Sequence, residues 1–509
     1  MLWTHKVKKI LLKYWNFDSL KDKQILVINE ILSGNDVIGL LPTGYGKSLC
    51  YILPSLLTKK TIFIISPLIS LMDDQKDKLI KMGILVSALH CNNLNKHREI
   101  EEIIKGNIKI VYMSPEYLID GDGLELARQL INNDQLRFLA IDESHCLSSW
   151  GHDFRSNYLR LKEFRNNFPS IPIMAVTATA KEQVIIEIIN FLQLKNPKII
   201  RANFDRPNLY IECKNIPKIL INKKEKRLSY DKIIIDYINK YTKDRIIIYV
   251  ISRKETEKIS TELNLHYKYN ISNAYHAGLT KDNRDKIQND FIENNCSVII
   301  STIAFGMGID QIVKCVIILG CPSSIEEYYQ QIGRGGRDGL DCETVFFYDG
   351  SKKKVIEYLI NKESSNPLLK NAKYENLKNV QNYAYSKKCR RQYILEYLGL
   401  SKNYFAYNGF TCTKCDNCIK YKLTDITSYI WDHYILKKPL NNKIFSIIND
   451  SNYNFNKILK DWASYIKFKD YSLIILPENL KIKIRAPDDF NESKYDLIYD
   501  KYDSLKNVI

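Results

Sequence analysis

An α/β chain with two parallel-sheet lobes, a helical cysteine-bearing module and a small C-terminal domain is what this sequence predicts. Three observations carry that prediction. Through roughly the first 200 residues, apolar runs of strand length alternate with longer helical patterns, at Thr61 to Ile65, Ile108 to Met113, Phe138 to Ile141 and Ile173 to Val176. Such alternation is what a parallel sheet with crossover helices produces. The alternation restarts after the loop Phe204-Asp205-Arg206-Pro207-Asn208 and the basic polar segment from Asn222 to Arg227, with runs at Ile246 to Ile251, Val298 to Ile300 and Val316 to Leu319. Beyond Ser351 the strands give way to helical patterns such as Lys387 to Leu398, and then to a cluster of cysteines. The expected domains are therefore residues 1–200, 201–350, 351–420 and 421–509.

At 509 residues the chain is long enough for several domains, each with its own core. Hydrophobic residues at 45% and charged residues at 26% are ordinary for a soluble globular protein. The formal charge of +17 favours polyanions, nucleic acid first and anionic membrane second, although abundant Lys and 34 tyrosines fit a coding bias as well. No apolar run approaches the roughly 18 to 20 residues that span a bilayer, so no membrane partner is expected. Met1 to Lys13 has neither a secretory apolar core nor a small-residue cleavage site. Twelve cysteines, most of them scattered singly, fit a reducing compartment, so an intracellular protein, nuclear or cytoplasmic, is expected.

The first element with chemistry in it runs from Asp36 to Pro54. An apolar strand, Asp36 to Leu41, meets Pro42-Thr43-Gly44-Tyr45-Gly46-Lys47-Ser48 and then a helical run. A strand, a glycine-bearing loop and a helix start in that order make a triphosphate cradle. Gly44 and Gly46 let the backbone come close, and the loop and helix N–H groups face phosphate. Lys47 would reach the β- and γ-phosphates, and the Ser48 hydroxyl would hold Mg²⁺. A strict phosphate loop has glycine where Leu41 stands, so an ordinary strand-to-helix turn remains an alternative for this stretch alone.

Apolar Phe138 to Ile141 runs into Asp142-Glu143-Ser144-His145. That puts an acid pair at the carboxyl end of a strand, where open α/β sheets bind ligands. Asp142 would hold Mg²⁺ through water, and Glu143 would orient or deprotonate an attacking water. Further boxes follow the same order: Ser66-Pro67-Leu68-Ile69-Ser70-Leu71-Met72, Ser114-Pro115-Glu116, Ala175 to Ala180, Tyr275-His276-Ala277-Gly278, Ala304 to Asp310, and Gln330 to Gly339. In order and spacing this set resembles the superfamily 2 helicases, and specifically the RecQ family, over roughly residues 15 to 420.

The resemblance implies two RecA-like lobes and assigns further residues. Phe17, Lys21 and Gln24 match the family's adenine-binding segment: an aromatic face, a cation and an amide able to pair with a base edge. The family usually has arginine at Lys21 and glycine at Tyr45. Asp310 belongs to the nucleotide-binding boxes, Arg337 resembles the arginine finger, and Arg334 is its phosphate-contacting neighbour. The stretch most particular to RecQ-like proteins is Cys146 to Arg155. There Trp150 and Phe154 offer faces to unpaired bases, with His152 and Arg155 beside them, and the loop is tethered to the hydrolytic acids.

Cys412, Cys415 and Cys418 bring three thiols into one short loop, tight enough for a single tetrahedral Zn²⁺. Cys389 is the simplest fourth ligand and matches the RecQ zinc module, with His433 the alternative. The implied protein is an ATP-, Mg²⁺- and Zn²⁺-dependent 3′ to 5′ DNA helicase acting on single-stranded, forked or duplex DNA. An RNA helicase and an ATP-switched nucleic-acid scaffold are the rival readings. Residues 421–509 have about the length of a winged helix, with Ser472 to Lys483 as its hairpin.

Overall fold

The computed structural model describes residues 4–91, 93, 95–148, 155–178, 181–216, 218–221, 224–227, 229–242, 244–305, 311–363, 367–400, 412–420, 424–425, 472–476 and 481–485. The first sheet uses β1 (Val37–Leu40), β2 (Thr61–Ile65), β3 (Val86–Leu89), β4 (Ile110–Met113), β5 (Leu136–Ile141), β6 (Ile173–Thr177) and β7 (Lys198–Arg201). They lie in the order β3-β4-β2-β5-β6-β1-β7, and every pair is parallel. β1, β2 and β4 are buried at every position. Helices cover both faces of such a sheet, so its strands read as continuous apolar runs rather than alternating ones.

Asp36 fixes the start of β1. Its carboxylate takes two bonds from the Arg165 guanidinium, at 2.6 and 2.7 Å, and one each from the Ile173 and Lys195 N–H groups, at 2.8 and 2.7 Å. Four hydrogen bonds satisfy the buried charge, and they tie β1 to the entries of its neighbours β6 and β7. The carboxyl ends of β1, β5 and β6 then open side by side on one edge.

The second sheet follows from β8 (Leu209–Asn215), after which β9 (Lys218–Ile221) and β10 (Lys224–Arg227) form an antiparallel ribbon. The segment read as a basic connector thus carries a ladder of its own. β11 (Ile246–Tyr249), β12 (Ser272–Tyr275), β13 (Val298–Ser301), β14 (Cys315–Gly320) and β15 (Cys342–Tyr348) complete a six-stranded sheet in the order β12-β13-β11-β14-β15-β8. All its pairs are parallel. The two-lobed α/β expectation is met. Helices Gly350–Glu363 and Pro367–Tyr385 follow.

The chain divides into two compact units: residues 1–386 with 397–399, and residues 387–396 with 400–509. Within the smaller unit, β16 (Thr424–Asp425), β17 (Ser472–Leu476) and β18 (Lys481–Arg485) form an antiparallel sheet with Ser472 opposite Arg485. The hairpin read at Ser472 to Lys483 is present, and most of its expected winged-helix setting, like His433, lies outside the described residues. Among the described residues, no helix is long and apolar enough to cross a membrane.

Candidate active site

The phosphate loop leaves β1 and enters the helix Lys47–Thr58, whose cap Gly46 is left-handed at φ +92°. A side chain there would be strained, and its Cβ would stand 2.5 Å from Gln24 Nε2. Gln24 instead braces the loop. Its Nε2 donates to Tyr45 O at 3.0 Å and Gly46 O at 3.2 Å, while its Oε1 accepts from the Lys21 N–H at 2.8 Å. Both amide protons are used on the protein, so what Gln24 offers a base edge is acceptor capacity on Oε1.

The other two adenine-segment residues are differently disposed. Phe17 is half exposed, a ring face open to a base. Lys21 Nζ lies 4.7 Å over the Tyr45 ring, a cation–π contact between two of the positions at which this chain departs from the family pattern. Burial, then repulsion from Arg206, lowers the Lys21 pKa.

Lys47 and Glu143 meet at 2.8 Å between Nζ and Oε1. Glu143 is a left-handed non-glycine residue, at φ +47°, a conformation that costs about 1–2 kcal/mol and clusters at functional sites. The turn leaves its N–H bonded to Asp142 Oδ1 at 2.9 Å and projects its carboxylate toward the loop lysine. Burial opposes ionisation of Glu143, but Lys47 and then His145 outweigh it, holding the group below the ordinary carboxylate range. Burial and the adjacent Glu143 charge push Asp142 the other way.

The Tyr51 hydroxyl donates to Asp142 Oδ2 at 3.2 Å, and the Ser48 side chain is near enough to act on the same phenol. Ser48 and Asp142, the two residues read as Mg²⁺ ligands, are thereby brought to one phenol. A hydroxyl and a carboxylate beside the phosphate loop are the oxygen donors that Mg²⁺ takes together with substrate phosphates. Glu143 Oε2 is a buried acceptor with no hydrogen-bond donor among the described residues, facing His145 Nδ1 at 3.3 Å. His145 Nδ1 in turn meets Thr177 Oγ1 at 2.9 Å, which links the acid box to the end of β6.

The second lobe closes the site. A Cβ on Gly44 would lie 4.0 Å from Arg337 Cγ, and one on Gly333 would lie 3.6 Å from Thr43 Cβ, so the glycine-rich arginine turn sits against the phosphate loop. Arg334 is drawn down to about 10 by burial and by Arg337, while Tyr249, to which it is hydrogen-bonded, and Glu143 across the cleft oppose that shift.

Sequence reasoning missed what holds this turn. Arg206 donates to Gly335 O and Gly336 O at 2.8 Å each and to Gly333 O at 3.4 Å. Asn208 Nδ2 donates to Gly336 O and Leu340 O, also at 2.8 Å each. The signal available was the Asp205-Arg206-Pro207-Asn208 loop itself, read only as a connector.

Arg155 donates from Nη1 to Pro67 O at 2.5 Å, a backbone anchor beside the Ser66-Pro67-Leu68 box. Trp150, His152, Phe154 and Asp310 lie outside the described residues.

In the smaller unit, the sulfurs of Cys389, Cys412, Cys415 and Cys418 all lie within 4.8 Å of one another. Sulfurs around one tetrahedral Zn²⁺, at about 2.3 Å from the metal, are separated by somewhat less than that, so the set fits the ion. Neighbouring thiols, Cys389 first, favour the Cys412 thiolate. The Gln392 N–H points at Cys389 Sγ at 3.5 Å and the Cys418 N–H at Cys415 Sγ at 3.4 Å. Arg390 pairs with Asp416 at 3.0 Å and Asn417 donates to Lys388 O at 2.7 Å, closing the module around the cluster.

Family models match in chain order. The DEAD/DEAH box helicase model matches residues 21–188, the helicase conserved C-terminal domain residues 229–339, and the RecQ zinc-binding domain residues 352–419. A protein of Acanthamoeba polyphaga mimivirus, provisionally named an ATP-dependent RNA helicase, is 37% identical over 81% of this chain and 72% of its own length. The ATP-dependent DNA helicase RecQ of Haemophilus influenzae is 35% identical over 81% of this chain, which spans 63% of that relative's length. The DNA-bound DUF1998 helicase MrfA is similar in fold, with a TM-score of 0.58 at 20% identity over 68% of this chain and 51% of its own. With both RecA-like lobes and the RecQ zinc-binding region matched in order, the chain belongs to the RecQ family of superfamily 2 ATP-dependent DNA helicases.

Proposed function

We propose that this chain is an ATP-dependent DNA helicase that translocates 3′ to 5′ on single-stranded DNA and unwinds duplex or forked DNA. The observation that carries the reading is the arginine turn of the second lobe lying against the phosphate loop of the first, with Arg337 beside Gly44. A dead nucleotide switch has no need of that pairing. ATP binds with its phosphates in the loop Thr43 to Ser48 and its base between Phe17 and Lys21. Gln24 fixes the loop, and Asp310 contributes to nucleotide binding. Mg²⁺, when bound, would neutralise charge on the phosphates.

Ser48 and Asp142 hold that ion. Glu143 is kept ionised by Lys47, and with ATP present Lys47 turns to the β- and γ-phosphates. The freed carboxylate then orients the attacking water and accepts its proton. Arg334 and Arg337 stabilise charge on the transferring phosphoryl group, a contribution on the order of 10³ to 10⁵ in rate for such arginines. Closing and reopening of the two lobes across this cleft alternates their grip on the strand. The loop bearing Trp150, His152, Phe154 and Arg155 stacks on bases and reports strand occupancy to the acids. Cys389, Cys412, Cys415 and Cys418 hold a structural Zn²⁺.

A second reading, unwinding of RNA, is favoured by the name of the mimivirus relative. The RecQ zinc-binding match and the DNA helicase RecQ relative support DNA. Unwinding of duplexes with a 3′ or a 5′ single-stranded tail tests the polarity. The proposal expects activity on the 3′ tail, and unwinding confined to the 5′ tail would reject it.

A further inference from the structure

Lys181 begins the helix Glu182–Leu192 of the first lobe as its cap residue. Its ammonium reaches across to three partners. Nζ lies 3.3 Å from Glu326 Oε1, 3.1 Å from Asn376 Oδ1 and 4.1 Å from the centre of the Tyr397 ring. The same partners are joined to one another, because the Tyr397 hydroxyl stands 2.8 Å from Glu326 Oε2 and 3.3 Å from Asn376 Oδ1. Glu326 and Asn376 are only 3% and 4% exposed. A carboxylate that deep requires a cation, and Lys181 supplies it from the other lobe.

The position of this node in the chain gives it a consequence. Glu326 lies in the first turn of the helix Ile325–Ile332, which runs directly into Gly333-Arg334 and on to Arg337. On the other side, Lys181 follows Thr177, the residue that meets His145 and through it Glu143. The acid side and the arginine side of the cleft are therefore connected twice: at the phosphates, and behind them through one ammonium.

We propose that Lys181 is a positioning residue that holds the helix Ile325–Ile332 against the first lobe, so that Arg334 and Arg337 stand over the phosphate loop. The inference rests on the reading of that loop as a hydrolytic site. The Lys181 ammonium is engaged by Glu326, Asn376 and Tyr397, so its loss should lower the rate without loosening ATP. The charge and its reach matter, and arginine can keep both.

Three variants test it: Lys181→Met, Lys181→Arg and the double variant Lys181→Met with Glu326→Gln. Steady-state ATP turnover with saturating single-stranded DNA, the thermal midpoint, and amide exchange over Ile325–Ile332 are measured on each. Lys181→Met should lower kcat on the order of 10- to 100-fold, as misplacing a catalytic group by about 1 Å does, with KM for ATP unchanged. Lys181→Arg should stay near wild type. In the double variant the uncompensated charge is gone, so the midpoint should recover while kcat stays low and exchange stays fast. Recovery of kcat together with the midpoint would make the node a buried charge needing a partner and nothing more, and would overturn the proposal. Wild-type turnover tests the site itself. Should wild type prove inactive, unchanged exchange over Ile325–Ile332 in Lys181→Met would still overturn the positioning role, and faster exchange would uphold it.

Discussion

Replacing Arg206 with alanine should slow ATP hydrolysis by an amount the hydrogen bonds allow us to bound. The guanidinium holds the arginine turn through two short bonds, to Gly335 O and Gly336 O at 2.8 Å each, and a longer one to Gly333 O at 3.4 Å. Gly336 O keeps a second donor, Asn208 Nδ2 at 2.8 Å. Gly335 is buried and its carbonyl loses its short donor. An acceptor left unsatisfied in that way costs about 1–3 kcal/mol, and if the turn relaxes to recover it, Arg334 and Arg337 lose their aim by a similar free energy. That corresponds to a fall in kcat of roughly 5- to 150-fold. The Arg206 guanidinium is engaged by the carbonyls of the turn, so KM for ATP should not rise. The assay is DNA-stimulated turnover as a function of ATP concentration, with wild type and Arg206→Ala compared. A rise in KM at unchanged kcat would refute the argument, because it would make Arg206 a nucleotide ligand instead of a brace for the turn.

Glu143→Gln keeps the loop, the glycines and Lys47 but removes the carboxylate to which the proposed mechanism assigns the attacking water. It should abolish steady-state hydrolysis while fluorescent ATP analogues still bind, whereas Lys47→Ala should lose both. Near-normal turnover by Glu143→Gln would remove Glu143 from the chemistry. Cys415→Ser should release metal and leave the module protease-sensitive, since zinc binding in small zinc domains supplies on the order of 10 kcal/mol or more of folding free energy. Elemental analysis of the native protein should find one Zn²⁺ per chain, and protein purified without chelator that contains none would contradict the assignment.

What the sequence discloses here depends on how local each feature is. The loop from Pro42 to Ser48 is legible because an apolar strand, two glycines and a helix start follow one another without a break. The same holds for Asp142-Glu143 at the end of β5 and for the close-set Cys412, Cys415 and Cys418. β3 and β12, reading Val86-Ser87-Ala88-Leu89 and Ser272-Asn273-Ala274-Tyr275, escape notice because four residues of mixed polarity carry no period. Their strand character comes from the ladders beside them.

Partners are less legible than capacities. The Gln24 amide reads as a partner for a base edge, whereas its donors go to Tyr45 O and Gly46 O. In the sequence Arg155 stands beside the stacking aromatics, and one arm of its guanidinium rests on Pro67 O. Arg206 and Asn208 act on residues well over a hundred positions away. No window of sequence brings those groups together; the second sheet does, by seating β8 beside β15.

The central claim is that one cleft couples ATP hydrolysis to separation of DNA strands. It is tested most directly by measuring ATP turnover and strand separation together on matched forks of DNA and of RNA, with Glu143→Gln as the inactive control. The expected result is turnover stimulated by the DNA fork, unwinding of that fork only with hydrolysable ATP, and little of either on RNA. Stimulation and unwinding confined to the RNA fork, or DNA-stimulated turnover with no strand separation, would contradict it.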